Sequence, residues 1–478
     1  MPDQVLLPGS LDARVVETHA AVVLFLGDRA YKLKKPIDLG FLDYRTREAR
    51  QQACHDEVAL NRRLAPDAYL GVLDVVGVDA EPCEHLVMMR RFPDDRRLSR
   101  CVERGEDVDD ALRQIAHAIA ALHDVRPPDS VHDRLATTTA IRARWLAGLH
   151  QLEELDVVGL DPDRNARIAE LVDRYLDGRD DLFTHRIRRG RIRDGHGDLL
   201  AEDIFLVPEG PQILDCIEFC EDYRWGDVLA DVAFLAMDLD RLGRPDLAER
   251  FLALHGELTN DRWPPSLAHH YVAYRAHVRA KVGALRAQQL GERIDVATDA
   301  LFGLALRHLE AGRVRLVVVG GAPGTGKSTV AARLGDRLGA VVLRSDEVRT
   351  RFGDPHDYRP EQVAAVYEQT IADARRLLRL GEHVVLDATF CDEAQRAAVR
   401  RMAADVSADL TELRCVVPAD VAAARVARRR RTDGDPSEAT PEVARVLAAR
   451  FAPWPEAVEL DASASASDVL AHAVAAVG

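Results

Sequence analysis

Residues 316–328 run Leu-Val-Val-Val-Gly-Gly-Ala-Pro-Gly-Thr-Gly-Lys-Ser, and this stretch decides the fold of the C-terminal part of the chain. Leu316–Val319 is a short, mostly β-branched run, as expected of a strand buried on both faces of a parallel sheet. Gly321 to Ser328 then fit the G-x-x-x-x-G-K-[ST] pattern, directly after the predicted strand and opening a predicted helix. Glycines in such a loop let main-chain N–H groups close on phosphate oxygens at the positive end of the helix. The expected cofactor cradle is Gly321, Ala322, Pro323, Gly324, Thr325, Gly326 and Thr329. Lys327 should reach the β- and γ-phosphates of ATP, and the Ser328 hydroxyl should ligate Mg²⁺. A glycine-rich turn with a chance lysine is the bland alternative, and the strand–loop–helix context argues against it.

Outward from this loop, strand-like 340–343, 383–386 and 412–417 alternate with helix-like 327–338, 361–380, 392–404 and 419–431. Strands alternating with helices predict a three-layer α/β domain on a parallel sheet. In such sheets ligands bind beyond the carboxyl ends of the strands. Asp346 falls there and could accept a hydroxyl proton, with Arg349 holding the substrate; the alternative is an N-cap aspartate. Asp387 ends the next strand as a carboxylate for Mg²⁺ through water, and Arg396 follows as a second substrate-side cation. Arg425 and Arg429 share one face of the last helix, where they could close over a transferring phosphoryl group. A solvated basic face is the other reading of that helix.

The first 311 residues follow a different pattern. Ala21–Leu26 and Ala30–Lys34 predict two strands about a Gly27-Asp28 turn, with a helical stretch through 46–64. From about residue 105 the chain reads as mostly helical, interrupted by a strand pair, Ile204–Val207 and Gln212–Leu214. The expectation is a small β-rich lobe over about 1–95 and a helical lobe over about 96–311, then a second domain over 312–478. His196-Gly-Asp198 with Asp203 fits H-x-D-x-x-x-x-N, except that Asp stands at the last position. In that arrangement Asp198 accepts the substrate hydroxyl proton and Asp203 ligates Mg²⁺. Asp215 should supply a second metal-binding carboxylate. Lys32 on a strand and Glu57 on the next helix would present an ammonium to the α/β-phosphates. Each of these features alone has an ordinary alternative, a solvated lysine or a strand cap; their order along the chain favours the site.

Composition limits the partners. The chain has 478 residues and a net charge of −15, of which −1 falls in 312–478 and −14 in 1–311. That balance argues against a nucleic-acid binder and against attraction to an anionic membrane. Seven cysteines without a C-x-x-C pair predict free thiols rather than zinc or disulfides. No apolar run approaches the roughly 20 residues of a membrane span. The N-terminus lacks a basic segment followed by an apolar one, so a cytoplasmic location is expected. Only five of the 64 basic residues are lysine, and two of them, Lys32 and Lys327, occupy the proposed phosphate positions.

GAPGTGKST, LRSDEVR, VVLDATF and RVARRRRTDGDPSEAT resemble the P-loop kinases that include zeta toxins, chloramphenicol phosphotransferase and gluconate kinase. That resemblance implies Asp346 as general base and Arg425 and Arg429 in a lid. AYKLKKPIDLGFLDY, EVALNRRL, HGDLLAEDIF, ILDCIEF and YRAHVRAKV are similar to the aminoglycoside phosphotransferase/choline kinase-like superfamily, in a bacterial branch fused to a P-loop kinase. It implies a bilobal α+β kinase-like fold, with the adenine hinge at Val87–Arg90 and Met89 among the cofactor contacts. The chain departs from the superfamily at Leu200, usually His, and at Asp203, usually Asn. Together the resemblances imply a two-site ATP·Mg²⁺ phosphotransferase acting on small-molecule hydroxyls. The alternatives are one working P-loop kinase beside a regulatory half, or a nucleotide-sensing switch. Nothing in the sequence names the acceptors or the oligomeric state.

Overall fold

The computed structural model describes residues 4–7, 11–18, 20–38, 42–78, 80–351, 359–429, 447, 449 and 451–478. Contacts gather the chain into two units. One comprises Met1–Pro162, His185–Arg262 and Tyr271–Arg307; the other comprises Asp163–Thr184, Trp263–His270 and His308–Gly478.

The first unit begins with an antiparallel sheet. Strands β1 (Gln4–Leu7), β2 (Leu11–Glu17), β3 (Ala21–Leu26), β4 (Arg29–Lys34), β5 (Tyr69–Val76) and β6 (Pro82–Arg90) lie in the order β1-β2-β3-β4-β6-β5. The sequence expectation contained β3 and β4 and omitted the other four. In β6 every second residue faces inward, but the inward set is His85, Val87 and Met89, and a buried histidine hides the two-residue period. Helix Arg47–Asn61 starts where the Thr46 hydroxyl accepts the Ala49 N–H at 3.1 Å. It packs on β5 and β6, burying Ala53, Cys54, Glu57 and Val58.

Helices follow, with two short strand pairs among them. β7 (Ile192–Asp194) pairs with β10 (Trp225–Asp227), and β8 (Ile204–Val207) forms a hairpin with β9 (Gly210–Ile213). Helix Val228–Arg241 is buried on almost all sides, which explains its run of apolar residues. Arg186 is sunk beside it, bonded to both carboxylate oxygens of Asp227 (2.8 and 2.6 Å) and of Asp261 (2.7 and 2.8 Å).

The second unit is a parallel sheet with helices on its faces. Strands β11 (Arg315–Gly320), β12 (Val341–Arg344), β13 (Val384–Asp387), β14 (Asp409–Val416) and β15 (Val458–Asp461) lie in the order β12-β13-β11-β14-β15. Its core joins Val317 and Val319 to Val330, Leu334, Val385 and Leu413. Helices Lys327–Leu338, Pro360–Arg379 and Glu393–Asp405 lie where the sequence places them. The four-residue β15 was not anticipated, because Val-Glu-Leu-Asp is too short to display a period. Two earlier segments also belong to this unit: Arg179 donates to the Val406 carbonyl at 2.7 Å and Ser266 to the Gly381 carbonyl at 2.7 Å. No helix among the described residues is long and apolar enough to cross a membrane. All seven cysteines are free.

Arg186→Ala removes the cation shared by two buried carboxylates, leaving Asp261 with Arg191 at 3.2 Å and Asp227 with no ion pair among the described residues. The expected cost is about 3–5 kcal/mol, read as a lower urea midpoint, whereas Arg100→Ala at an exposed surface pair leaves the midpoint in place.

Candidate functional site

In the first unit, Lys32 and Lys34 alternate on β4 and therefore project to the same face. Both bond the one carboxylate of Glu57, which is fully buried: Lys32 Nζ lies 2.9 Å from Oε1 and Lys34 Nζ 2.8 Å from Oε2. Lys32 also reaches Asp215 Oδ1 at 2.7 Å, and Lys34 bonds Glu218, which in turn accepts the Tyr44 hydroxyl at 2.9 Å. Burial opposes charge on Lys32, but Asp215, Glu57 and Glu218 outweigh it and hold the ammonium protonated well above its usual range. Burial likewise works against ionised Glu57, and the two lysines reverse that effect and lower its pKa.

The loop 195–201 carries Asp198 and is fixed from beneath. Asp231 accepts the His196 N–H at 2.9 Å, the Gly197 N–H at 2.8 Å and His123 Nε2 at 2.9 Å. Asp238 accepts the Ala201 N–H at 2.9 Å. A Cβ on Gly195 would lie 2.4 Å from Asp231 Oδ2, so only glycine lets the carboxylate come this close. Asp198 is half-buried; burial raises its pKa to about 6 against the nearby Arg279, whose Nη1 stands 3.7 Å from Oδ2.

Asp203 and Asp215 flank the β8–β9 hairpin, tied by the Leu214 N–H to the Asp203 carbonyl at 3.0 Å. Asp215 sits at φ +66, a left-handed conformation that aspartate tolerates better than most residues. Lys32 lowers its pKa. Burial and the neighbouring Asp215, Glu202 and Asp198 raise that of Asp203 well above the carboxylate range. Crowded carboxylates that resist ionising together suit a divalent cation. Among the described residues no three His, Cys, Asp or Glu side chains gather into a closed metal cage. Paired carboxylates instead match Mg²⁺, which keeps waters and binds substrate phosphates.

Met89 departs from expectation. It pairs in register with Ala30 on one side and Tyr69 on the other, and its side chain lies in the lobe's core. Its main chain is flanked by strands and is not offered at an open edge to a nucleotide.

In the second unit, Lys327 opens its helix directly after Gly326, and Gly321, Gly324 and Gly326 all take positive φ. A Cβ on Gly324 would meet the Ala422 carbonyl at 2.4 Å. The Thr325 hydroxyl donates to the Ala322 carbonyl at 2.8 Å, closing the loop on itself. Pro323 contributes no N–H to this cradle. Lys327, Ser328, Thr329 and Arg425 line one cleft of about 570 Å³, where Arg425 donates to the Ala462 carbonyl at 3.0 Å. The side chain of Arg429 lies outside the described residues, as does most of the stretch after it. Asp387 stands in register with Arg344 and Val319 at the carboxyl edge. Its Oδ2 lies 3.3 Å from Arg344 Nε, and its Oδ1 is buried with no hydrogen-bond partner among the described residues, as a ligand position for Mg²⁺ would be. Asp346 follows β12 on the same edge, in helix Ser345–Arg351 with the buried Arg349.

Arg396 is a correction. It was expected at the substrate; it is fully buried, stacked over Trp454, and donates to the carbonyls of Phe390, Ala452 and Pro453 and to Glu393. Its donors hold the 451–454 segment against the sheet. Lys34, Tyr44, Glu218, Asp231, Asp238 and Arg344 escaped the sequence reading. Of these only Lys34 carried a signal, its two-residue spacing from Lys32.

Comparison with known proteins agrees with both units. Residues 27–268 match the phosphotransferase enzyme family and residues 316–454 match an AAA domain. Uncharacterized proteins of Mycobacterium tuberculosis and Mycobacterium bovis are each 42% identical over 461 residues, covering 94% of this chain and 92% of the relative. Among solved structures, a choline/ethanolamine kinase family protein from Mesorhizobium loti is 14% identical (63% of this chain, 93% of that one, TM-score 0.37). A gluconokinase from Sinorhizobium meliloti is 18% identical (34% of this chain, 91% of that one, TM-score 0.26).

Gly324→Ala forces a side chain into a left-handed conformation and against the Ala422 carbonyl. Strain of about 1–3 kcal/mol is present with or without a ligand and should appear as a lower urea midpoint, whereas Gly243→Ala, which has open space at its Cβ, tests the left-handed conformation alone.

Proposed function

The chain belongs to the phosphotransferase enzyme family and is an ATP-dependent kinase, and from that footing we propose that it holds two ATP·Mg²⁺ sites, each phosphorylating a hydroxyl of a small molecule. The observation that carries the reading is Lys32, held between Glu57 and Asp215 at the mouth of the cleft that Asp198 also lines. That arrangement supplies a phosphate-facing ammonium, a metal-side carboxylate and a base within one cavity. The boundary between the two kinase modules is proposed near residue 311.

At the first site Lys32 holds the α/β-phosphates, Asp203 and Asp215 hold the metal, and Asp198 takes the hydroxyl proton. Asp231 and Asp238 keep the Asp198 loop in place, so the base is oriented before substrate arrives. At the second site the glycine loop and Lys327 hold the phosphates, Ser328 and Asp387 hold the metal, Asp346 is the base and Arg349 faces the acceptor. Arg425 closes over the transferring group, and Arg429 is assigned to the same lid. Held by these residues, Mg²⁺ would supply neutralisation of the phosphate charge.

One observation favours a second reading, a single working kinase with a regulatory first half. Once ionised, as a metal ligand would be, Asp203 adds negative charge where an asparagine would be neutral, and it then has no proton to donate to Asp198.

The two readings separate in one experiment. ADP release is measured over a panel of sugars, amino sugars, aminoglycosides and nucleosides. If both sites work, Lys32→Ala and Lys327→Ala each remove part of the acceptor-dependent release and the double variant removes all of it. If only Lys327→Ala matters, the first half is regulatory. Full turnover in Asp346→Asn refutes the assignment of that base.

A pH profile tests the other base. Because the Asp198 pKa is raised to about 6, the carboxylate takes up a proton as pH falls through that value. In a Lys327→Ala chain, acceptor-dependent kcat/KM should be level above pH 7 and fall about tenfold per unit below 6.

A further inference from the structure

The cleft around Lys32, Asp198 and Asp215 extends well beyond the reacting groups, to about 730 Å³. One wall is the helix Pro265–Leu290 together with the turn after it. Three arginines line that wall: Arg279 beside Asp198, Arg286 seven residues on and so on the same face, and Arg293 in the turn.

The acids around the cleft are mostly committed. Glu218 is taken by Lys34 and Tyr44, and Glu17 pairs with Lys35 at 2.6 Å. Asp295 accepts the Thr298 N–H at 2.7 Å. Among the described residues Arg293 makes no ion pair, and Arg286 acts on Asp295 only through space. Glu292 and Asp295 are the acids beside those two guanidiniums, and among the described residues neither holds either of them in an ion pair.

Seven helical residues advance about 10 Å. A molecule with its hydroxyl at Asp198 would therefore present its far end, about 10 Å along, to Arg286 and Arg293. Guanidinium groups bind phosphate and carboxylate through paired hydrogen bonds and repel ammonium groups. The polycationic acceptors of an aminoglycoside kinase would meet the wrong charge here.

We propose that the acceptor of the first site is an anion: a hydroxyl-bearing small molecule that also carries a phosphate or carboxylate, seated with that group on Arg286 and Arg293. This rests on the reading of Asp198 as the base of a small-molecule kinase. In the reaction the acceptor oxygen bonds to the γ-phosphorus and its proton passes to Asp198. The bond from that phosphorus to the β–γ bridging oxygen breaks, and its electron pair leaves on ADP. The product carries one phosphoryl group more than the acceptor. Arg279, at 3.7 Å from Asp198, positions the base end.

The test uses the full chain with Lys327→Ala, so that only the first site turns over. ADP release is compared for glucose, glucosamine and kanamycin against glucose 6-phosphate, glycerol 3-phosphate, 3-phosphoglycerate and gluconate. We expect an anionic member to be the best acceptor, the phosphates and carboxylates resolving which group is read. Arg286→Ala/Arg293→Ala should raise KM for that acceptor about tenfold or more, leave kcat and the KM for ATP near their starting values, and be partly rescued by lysine at both positions. Melting curves of the same variants check that folding is intact. If a neutral or cationic compound is the best acceptor and the arginine variants do not change its KM, the inference fails while the kinase reading stands. If no compound raises ADP release above the Asp198→Asn level, the kinase reading of this half fails and the inference falls with it.

Discussion

The side chain on which the first unit depends is the carboxylate of Glu57. It is fully removed from solvent, a position an ionised group holds only when its charge is met and its oxygens are bonded. Two lysines from one strand meet it, one at each oxygen. Through them a helix is tied to the sheet, and through Asp215 and Glu218 the sheet is tied to the segment after the β8–β9 hairpin. One buried acid thus links three stretches that are far apart in sequence, and both ammonium groups it fixes line the cleft.

The same logic of opposed charges runs through the loop that carries Asp198. Asp231 is buried, yet His123 and two main-chain N–H groups outweigh the effect of burial and keep its pKa below the usual carboxylate range. Asp198, lacking such donors, moves in the other direction. Burial thus moves the Asp198 carboxyl in one direction while bonded neighbours hold Asp231 in the other. Asp203 adds a third acid to this neighbourhood, and its pKa is raised first by burial and then by the carboxylates around it.

In the second unit the governing constraint is steric rather than ionic. The phosphate loop must pass under the Ala422 carbonyl with no room for a Cβ at Gly324, and it must turn through positive φ three times within six residues. Only glycine meets both demands cheaply. The sheet then sets the register, placing Asp387 level with Val319 on the adjacent strand and with Arg344 on the other side. Asp387 and the glycine loop come together because parallel strands end on one edge.

Much of this was legible in the sequence because it is local. The phosphate loop is a contiguous string whose glycines, lysine and serine each have a conformational or chemical reason to be there. The α/β alternation of 312–478 and the β3–β4 hairpin likewise follow from patterns a few residues long, whereas the Lys32–Glu57 pairing, 25 residues apart, was expected from the order of features along the chain. Strands β1 and β15 were hidden by their length and β6 by a buried histidine, and β2 and β5 were missed as well. What only the tertiary structure decided is where each arginine goes. Arg396 and Arg349 look alike in the chain, each just beyond a strand that ends at the ligand edge. One is locked under Trp454 by main-chain carbonyls, whereas the other stays beside Asp346. Arg286 and Arg293 were unremarkable in an arginine-rich sequence until folding set them on the wall of the Asp198 cleft. A guanidinium's role depends on which carbonyls and carboxylates surround it, and those neighbours come from distant parts of the chain.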